Sequence, residues 1–408
     1  MKHLLSERLS SIKPSPSSSA NARVGQLRAQ GHDIVNLTIG EPDFDTPEHI
    51  KQAAVAAMNA GDTHYTPTPG TVQLREAIVE KLQRDNGLTY GVDEIVVGCG
   101  GKHVVFHALA ATLNPGDEVI IPAPYWVSYP DLVVLHGAQP VIVTGEPHNG
   151  LKISAEQLAS SITPRTKWVI LNSPNNPTGS VYSESELLAL ARVLEDYPQV
   201  LVMADEIYEH FVFGEARHTS IVKVAPQLKA RTLIVNGASK GYAMTGWRIG
   251  FGAGPAELIQ AIVKLLTQTT SCPSSVSQAA AVAAFTGDQA PVAAMSAAYA
   301  QRCKVIVEEL TDIPGLGFDV PQGAFYVYAD VSGAIGKITP QGQRVARDSD
   351  LVEHLAEVGG VATVTGAAFG LSPYLRISFA GDEQSIREGC RRIRRTLSAL
   401  QENDGQQL

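Results

Sequence analysis

The segment SKGYAMTGWR at residues 239–248 carries the clearest catalytic potential in this sequence. Lys240 follows Ser239 shortly after an apolar run and lies among small and aromatic residues. Burial there would lower the pKa of its ammonium group, and a lysine of lowered pKa is a Schiff-base nucleophile. Arg248 is predicted to open the next strand, where its guanidinium could bind a phosphate. A serine–lysine pair is common on protein surfaces, so this interpretation depends on the other motifs.

Two more polar segments follow apolar runs and fit the same chemistry. Asp205 comes directly after residues 200–204, where α/β sheets position ligand groups. It could keep a proton on a heteroaromatic nitrogen, with Tyr208 donating to a phenolic oxygen, or it could simply cap a helix. Asn176 lies in a turn that two prolines and Gly179 define. It either reaches a polar ligand atom or belongs to a plain tight turn.

A third segment indicates a phosphate site. Gly100 and Gly101 lie between a predicted strand and a predicted helix, where their backbone N–H groups could approach a phosphate. The segment is neither a P-loop nor a dinucleotide-binding GxGxxG motif. Further along, Trp126 could stack on a flat ring, with a core or interface position as the alternative.

The elements that must position these residues alternate between strand and helix. Short apolar runs bounded by glycine, proline or asparagine predict seven strands, at residues 94–98, 118–122, 140–144, 167–172, 200–204, 232–237 and 248–252. Helical patterns lie between most of them, as at 104–113 and 184–196. Several runs are apolar on successive residues, which is typical of strands covered on both faces. The predicted fold is therefore α/β, with a mostly parallel seven-stranded sheet wound with helices.

The two ends of the chain predict a second, smaller α+β domain. Residues 13–22 are rich in proline and serine, which predicts an arm or loop. An alanine-rich stretch at 276–311 predicts helix, and residues 323–330 and 374–379 predict strands. We therefore expect an N-terminal arm and the start of the small domain at 1–45, a large cofactor-binding domain at 46–290, and the rest of the small domain at 291–408.

Composition narrows the function classes. The 408 residues are 44% hydrophobic and 18% charged, which is typical of a globular protein. A net charge of −9 disfavours nucleic acid or an anionic membrane as the main partner. The four cysteines form no CxxC pair, so no metal site is predicted. With no signal peptide or membrane span in the pattern, we expect a cytoplasmic protein.

Together these motifs resemble the aspartate aminotransferase family, class I of the fold-type I pyridoxal-phosphate enzymes. The resemblance is closest to the bacterial aspartate/prephenate aminotransferase branch and covers nearly the whole chain. The motifs that carry it occur in the family's order: GEPDFDTP at 40–47, PYWVSYP at 124–130, NPTG at 176–179, DEIY at 205–208, SKGYAMTGWR at 239–248, GAFY at 323–326 and LRISF at 375–379.

The resemblance implies a role for each candidate residue toward pyridoxal 5'-phosphate. Lys240 matches the lysine that forms the Schiff base with the cofactor and then moves a proton, and Asp205 matches the acid that keeps the pyridine nitrogen protonated. Asn176 and Tyr208 match the partners of the phenolic oxygen. The remaining matches are Trp126 on the ring and, around the phosphate, Gly100, Gly101, Lys102, Ser239 and Arg248. Tyr65 matches a tyrosine that reaches the other subunit's phosphate, which implies a homodimer with shared active sites.

The resemblance also implies the substrate class. Arg376 matches the arginine that binds the α-carboxylate through two hydrogen bonds, and Gly40 matches a backbone contact to it. Lys102, with a hydroxyl of the N-terminal segment such as Ser17, matches the site of the distal carboxylate, and Trp126 and Asn176 also face the substrate. This favours a ping-pong transaminase for aspartate or glutamate with a 2-oxo acid such as 2-oxoglutarate.

Two alternatives stay open beside that reading, and a third is disfavoured. Aromatic or prephenate-type substrates remain possible, because residues 15–18 differ from the usual pattern of the branch. A same-fold β-lyase or decarboxylase would use the same lysine. A transcription regulator with this domain would need an N-terminal DNA-binding module, for which the roughly 30 residues before Asp33 are too few.

Overall fold

The computed structural model describes residues 4–14 and 16–402. The strands run in chain order as β1 Val35–Asn36, β2 Ile95–Gly98, β3 Glu118–Ala123, β4 Gln139–Thr144, β5 Thr166–Asn172, β6 Leu201–Asp205, β7 Thr232–Gly237, β8 Gly250–Ala253, β9 Gly317–Phe318, β10 Tyr326–Asp330, β11 Val361–Ala362, β12 Val364–Thr365 and β13 Tyr374–Ser378. The helices are α1 Pro16–Ala29, α2 Glu48–Asn59, α3 Val72–Lys81, α4 Gly101–Thr112, α5 Tyr129–Leu135, α6 Ala155–Ser161, α7 Glu184–Glu195, α8 Ile221–Val224, α9 Ala256–Leu266, α10 Ser275–Thr286, α11 Ala290–Leu310, α12 Asp348–His354 and α13 Glu383–Ser398.

A seven-stranded sheet forms the centre of the larger part, in the order β2-β8-β7-β6-β5-β3-β4. Strand β8 is antiparallel to both of its neighbours, and the other pairings are parallel. Helices cover both faces, with Ile78, Leu190 and Phe285 in the apolar cluster on one side and Val104 and Ile262 in the cluster on the other. The predicted α/β fold with a mostly parallel seven-stranded sheet is therefore confirmed.

Segments from both ends of the chain build the smaller part. Strand β1 pairs in parallel with β11, which brings Val35 beside Val361. A second sheet, in the order β12-β13-β10-β9, is antiparallel, and α11 and α13 pack on it around a separate apolar cluster. The α+β character and the contribution of both chain ends are confirmed. The limits at residues 46 and 291 stay a prediction.

The N-terminal arm is the element that composition predicted wrongly. From Pro16 the chain forms helix α1, because proline is tolerated in the first helical turn, where its missing N–H has no intrahelical partner. Val24 and Leu27, three residues apart, are buried against Ile34 and Ala362. This packing stabilises the helix, which isolated propensity would leave marginal.

The alanine-rich stretch is helical, as predicted. It forms two helices, α10 and α11. At Gly287, just after α10, a Cβ atom would lie 2.4 Å from the carbonyl oxygen of Ala283, so the chain turns there on a glycine. Among the described residues, no helix has the length and apolar character needed to cross a membrane.

Candidate active site

A cavity of about 620 Å³ lies at the carboxyl-terminal ends of β5, β6 and β7, against the second sheet. This is the edge where parallel sheets carry ligand sites, because polar loops from several strands converge there. The predicted residues that line the cavity are Gly40, Gly101, Lys102, Trp126, Asn176, Asp205, Tyr208, Ser239, Lys240, Arg248 and Arg376. Gly100 immediately precedes this lining.

Lys240 lies three residues beyond the end of β7 and reaches across the cavity. Its Nζ donates to the carbonyl oxygen of Gly40 at 2.5 Å and lies 5.9 Å from the ring centroid of Tyr208. Burial lowers the pKa of Lys240 to about 8, and the positive charges of Arg376 and Arg248 act in the same direction. About a tenth of this amine is therefore neutral and nucleophilic at pH 7.

Asp205 is the last residue of β6 and is buried. The hydroxyl of Tyr129 donates to its Oδ2 at 2.5 Å, and the N–H of Ile207 donates to its Oδ1 at 3.3 Å. Burial raises the pKa of Asp205 to about 6, although both hydrogen bonds oppose the rise. A turn follows instead of a helix, so the helix-cap alternative is wrong. Tyr129 was missed as a partner, although the motif at 124–130 contains it.

One end of the cavity has the features of an anion site. Helix α4 begins at Gly101, and Gly100 before it has a φ of +89°. A Cβ atom at Gly100 would lie 2.4 Å from Nη2 of Arg248, so only glycine lets the arginine approach this closely. Arg248 has a φ of +57° and precedes β8, which begins at Gly250, so the prediction that it opens this strand is wrong. With Ser239, these groups offer backbone, hydroxyl and guanidinium donors.

The cavity lining also includes a buried arginine. Arg376, on β13, is 2% exposed. It donates to the carbonyl oxygen of Thr38 at 2.7 Å and to Oδ1 of Asn176 at 3.2 Å, while its Nε is buried without a partner. Its guanidinium also lies 4.5 Å from the ring centroid of Tyr326. A desolvated guanidinium with an unused donor fits the recognition of a carboxylate.

Lys102 and Trp126 line the cavity side by side. The ammonium group of Lys102 lies 4.8 Å from the ring centroid of Trp126, a cation–π distance. Burial lowers the pKa of Lys102, and the charge of Arg248 lowers it further. A carboxylate brought near this lysine would offset both effects.

Among the described residues, the predicted Tyr65 does not line the cavity. The side chain of Tyr65 is 92% exposed and lies outside the lining, so its role in another subunit stays a prediction. The side chain of Ser17 lies outside the part of the chain that the structure describes. Asn21, one helical turn further along α1, does line the cavity, and its Oδ1 accepts from Thr38 Oγ1 at 2.8 Å. Because residues 13–22 were predicted to form an arm or loop, Asn21 was not predicted as a site residue.

A buried ion pair lies behind the site. The ammonium group of Lys81 donates to Glu209, and both side chains are at most 4% exposed. Asn236 donates to the same carboxylate at 2.7 Å, which ties the turn after β6 to the end of β7. Burial alone would raise the pKa of Glu209, but Lys81 and two neighbouring histidines lower it overall. The pair therefore supports the segments that carry Tyr208 and Lys240.

Replacing Lys81 with methionine is expected to lower the free energy of unfolding by about 3–5 kcal/mol, because it leaves the Glu209 charge buried without its cation. Denaturant unfolding of the two proteins measures the difference. Lys51→Met is the matched control, since Lys51 pairs with Glu48 on the exposed face of α2 and should matter little. Equal stability of wild type and Lys81→Met would show that the pair does not support the fold.

A parallel sheet that presents a nucleophilic amine and a buried acid to one ligand cavity defines an enzyme of α/β fold. Comparison with known proteins identifies its family. The protein-family model described as aminotransferase class I and II matches residues 32–393 of this chain. The aspartate/prephenate aminotransferase of Cereibacter sphaeroides is 48% identical over 396 residues, 97% of this chain and 99% of that protein.

Solved structures agree with that assignment. The crystal structure of the aspartate aminotransferase from Rhizobium meliloti matches with a TM-score of 0.95 and 46% identity, over 97% of this chain and 99% of that one. The aspartate aminotransferase of Thermus thermophilus with maleate matches with a TM-score of 0.90 and 42% identity, over 96% of this chain and 99% of that one. The chain belongs to the class I and II aminotransferase family and is a transaminase.

Proposed function

We propose that this transaminase uses pyridoxal 5'-phosphate to move an amino group between aspartate or glutamate and a 2-oxo acid such as 2-oxoglutarate, by a ping-pong mechanism. One observation carries the proposal: the Lys240 amine and the Asp205 carboxyl line the same cavity as Arg248 and the buried Arg376. The cavity lining therefore offers one guanidinium for a phosphate and another for a carboxylate beside the reacting amine.

The donor set of the cavity fits pyridoxal 5'-phosphate. Asp205 is an acid for a ring nitrogen, and the hydroxyl of Tyr208 can donate to a phenolic oxygen. The start of α4, Ser239 and Arg248 match a phosphate, and Trp126 offers a flat face for a ring. When bound, this cofactor supplies an electron sink for the electron pair released at the substrate Cα.

The residues of the chain then have defined tasks. Arg376 binds the α-carboxylate and orients the substrate, because Thr38 and Asn176 hold its guanidinium in place. Lys240 would accept a proton from the substrate Cα and deliver it to C4′ of the cofactor, and its pKa of about 8 suits both accepting and donating near neutral pH. Asp205 holds a proton at the ring nitrogen. The second half of the cycle repeats these steps in reverse with the 2-oxo acid.

Lys102 is proposed to select dicarboxylic substrates by binding their distal carboxylate. Lys102→Ala is expected to lower kcat/KM for aspartate by roughly 10–100-fold, the effect of losing a hydrogen bond to a charged group. For phenylalanine, which lacks that carboxylate, the same variant should change little, so each substrate is the control for the other. Equal losses for both substrates would contradict the assignment of Lys102.

A panel of amino donors with 2-oxoglutarate tests the proposal as a whole. The expected result is pyridoxal phosphate bound to the purified protein and a clear preference for aspartate or glutamate. Faster turnover of aromatic amino donors, or of prephenate when it replaces 2-oxoglutarate as the acceptor, would favour that alternative. Release of ammonia or carbon dioxide in place of an amino-acid product would favour a β-lyase or decarboxylase. A homodimer that shares Tyr65 between sites and a cytoplasmic location complete the proposal.

A further inference from the structure

Tyr326 contacts both Tyr208 and Arg376 in the cavity, although no role follows from its place in the GAFY motif. It lies on β10, lines the cavity and is fully buried. Its hydroxyl oxygen is 3.0 Å from the hydroxyl oxygen of Tyr208, and its ring lies under the guanidinium of Arg376. The side chain therefore contacts both a proposed cofactor ligand and the proposed carboxylate site.

The hydroxyl pair has a limited number of donors. Each tyrosine brings one hydrogen, and at 3.0 Å one hydroxyl donates to the other. If Tyr326 donates to Tyr208, the hydrogen of Tyr208 is left for an acceptor in the cavity. Burial raises the pKa of both side chains above the ordinary value, so both stay protonated over the working pH range. A hydrogen-bond acceptor bound beside Tyr208 would favour the arrangement in which Tyr326 donates to Tyr208 and Tyr208 donates to that acceptor.

We propose that Tyr326 is a positioning residue: it donates to the Tyr208 oxygen, directs the Tyr208 hydrogen toward the phenolic oxygen of the cofactor and strengthens that hydrogen bond. The inference rests on the proposed function. Hydrogen bonds in series polarise one another, so a tyrosine that accepts one bond donates a stronger one. A stronger donor stabilises the deprotonated phenolic oxygen and lowers the pKa at which the bound cofactor titrates.

Tyr326→Phe tests this in the holoenzyme. The midpoint of the pH titration of the cofactor's visible absorption should rise by roughly 0.1–0.7 pH unit, from a cooperative strengthening of roughly 10–30% on a hydrogen bond to a charged acceptor. Tyr328→Phe is the matched control. Tyr328 lies two residues along the same strand, is also buried, and donates to the backbone carbonyls of Gly366 and Leu371. Its loss should leave the midpoint unchanged.

A double-mutant cycle of Tyr208→Phe and Tyr326→Phe tests whether Tyr326 acts through the Tyr208 hydroxyl or through a general effect on the fold. Tyr208→Phe should raise the midpoint more than Tyr326→Phe, and Tyr326→Phe added to Tyr208→Phe should raise it no further. An unshifted midpoint in Tyr326→Phe, or the same shift with and without the Tyr208 hydroxyl, would overturn the inference. A protein that takes up no pyridoxal phosphate and shows no visible band would overturn the proposed function, and this inference with it.

Discussion

Replacing Lys240 with alanine is expected to lower kcat at least about 10³-fold, since general acid–base catalysis alone contributes roughly 10²–10⁴-fold and the lost nucleophile adds to this. The amine is buried, has a lowered pKa and reaches the carbonyl oxygen of Gly40 across the cavity. Steady-state kinetics with saturating aspartate and 2-oxoglutarate measure the loss. The visible band of the bound cofactor should disappear with the activity, because the amine that attaches it is gone.

Two controls separate the chemistry of Lys240 from its charge and from general destabilisation. Lys240→Arg keeps a cation but no nucleophilic amine, so it should lose activity as Lys240→Ala does. Lys152→Ala removes another largely buried lysine, paired with Glu186 away from the cavity, and should keep kcat. A Lys240→Ala protein that retains a tenth or more of the wild-type kcat would exclude this lysine as the reacting amine.

Replacing Asp205 with asparagine is expected to lower kcat on the order of 10³-fold, the effect of losing one preorganised electrostatic contact in a buried site. Asparagine has the same shape and can still accept the hydrogen bond from Tyr129. It has no charge to hold a proton on the ring nitrogen, so the electron sink weakens. Asp205→Glu, which keeps the charge, should retain more activity than the asparagine variant, and the reverse order would contradict the role.

The same substitution should stabilise the cofactor-free protein. Burial raises the pKa of Asp205 from 3.8 to about 6, so ionising it in the folded state costs about 3 kcal/mol. The stability linked to the neutral acid is fully present below pH 4 and is lost as the pH rises through 6. Asp205→Asn should therefore gain up to about 3 kcal/mol at pH 8 and little at pH 4. Denaturant unfolding at the two pH values measures the difference, and equal gains at both would contradict it.

Local sequence patterns were sufficient to predict the seven-stranded sheet and many of the residues that line the cavity. The strand that ends in Asp205 and the one that ends shortly before Lys240 are short apolar runs closed by polar residues or glycine. In parallel strands such ends meet at one edge, so their functional groups converge there. Helix α1 was missed because its stability comes from burying Val24 and Leu27 against distant segments. The proline and serine content of the segment gives no information about that packing.

The sequence by itself determined which residue types follow each strand, and hence an α/β sheet with an amine, an acid and a glycine turn at one edge. Only the tertiary structure decided the hydrogen bonds and the pKa values of those groups. Tyr129 holds Asp205 from 76 positions away, and Arg376 contacts Asn176 from 200 positions away. Such hydrogen bonds, and the burial that brings Lys240 to a pKa of about 8, depend on packing between segments. Desolvation is a property of the assembled cavity, and no local pattern of residues encodes it.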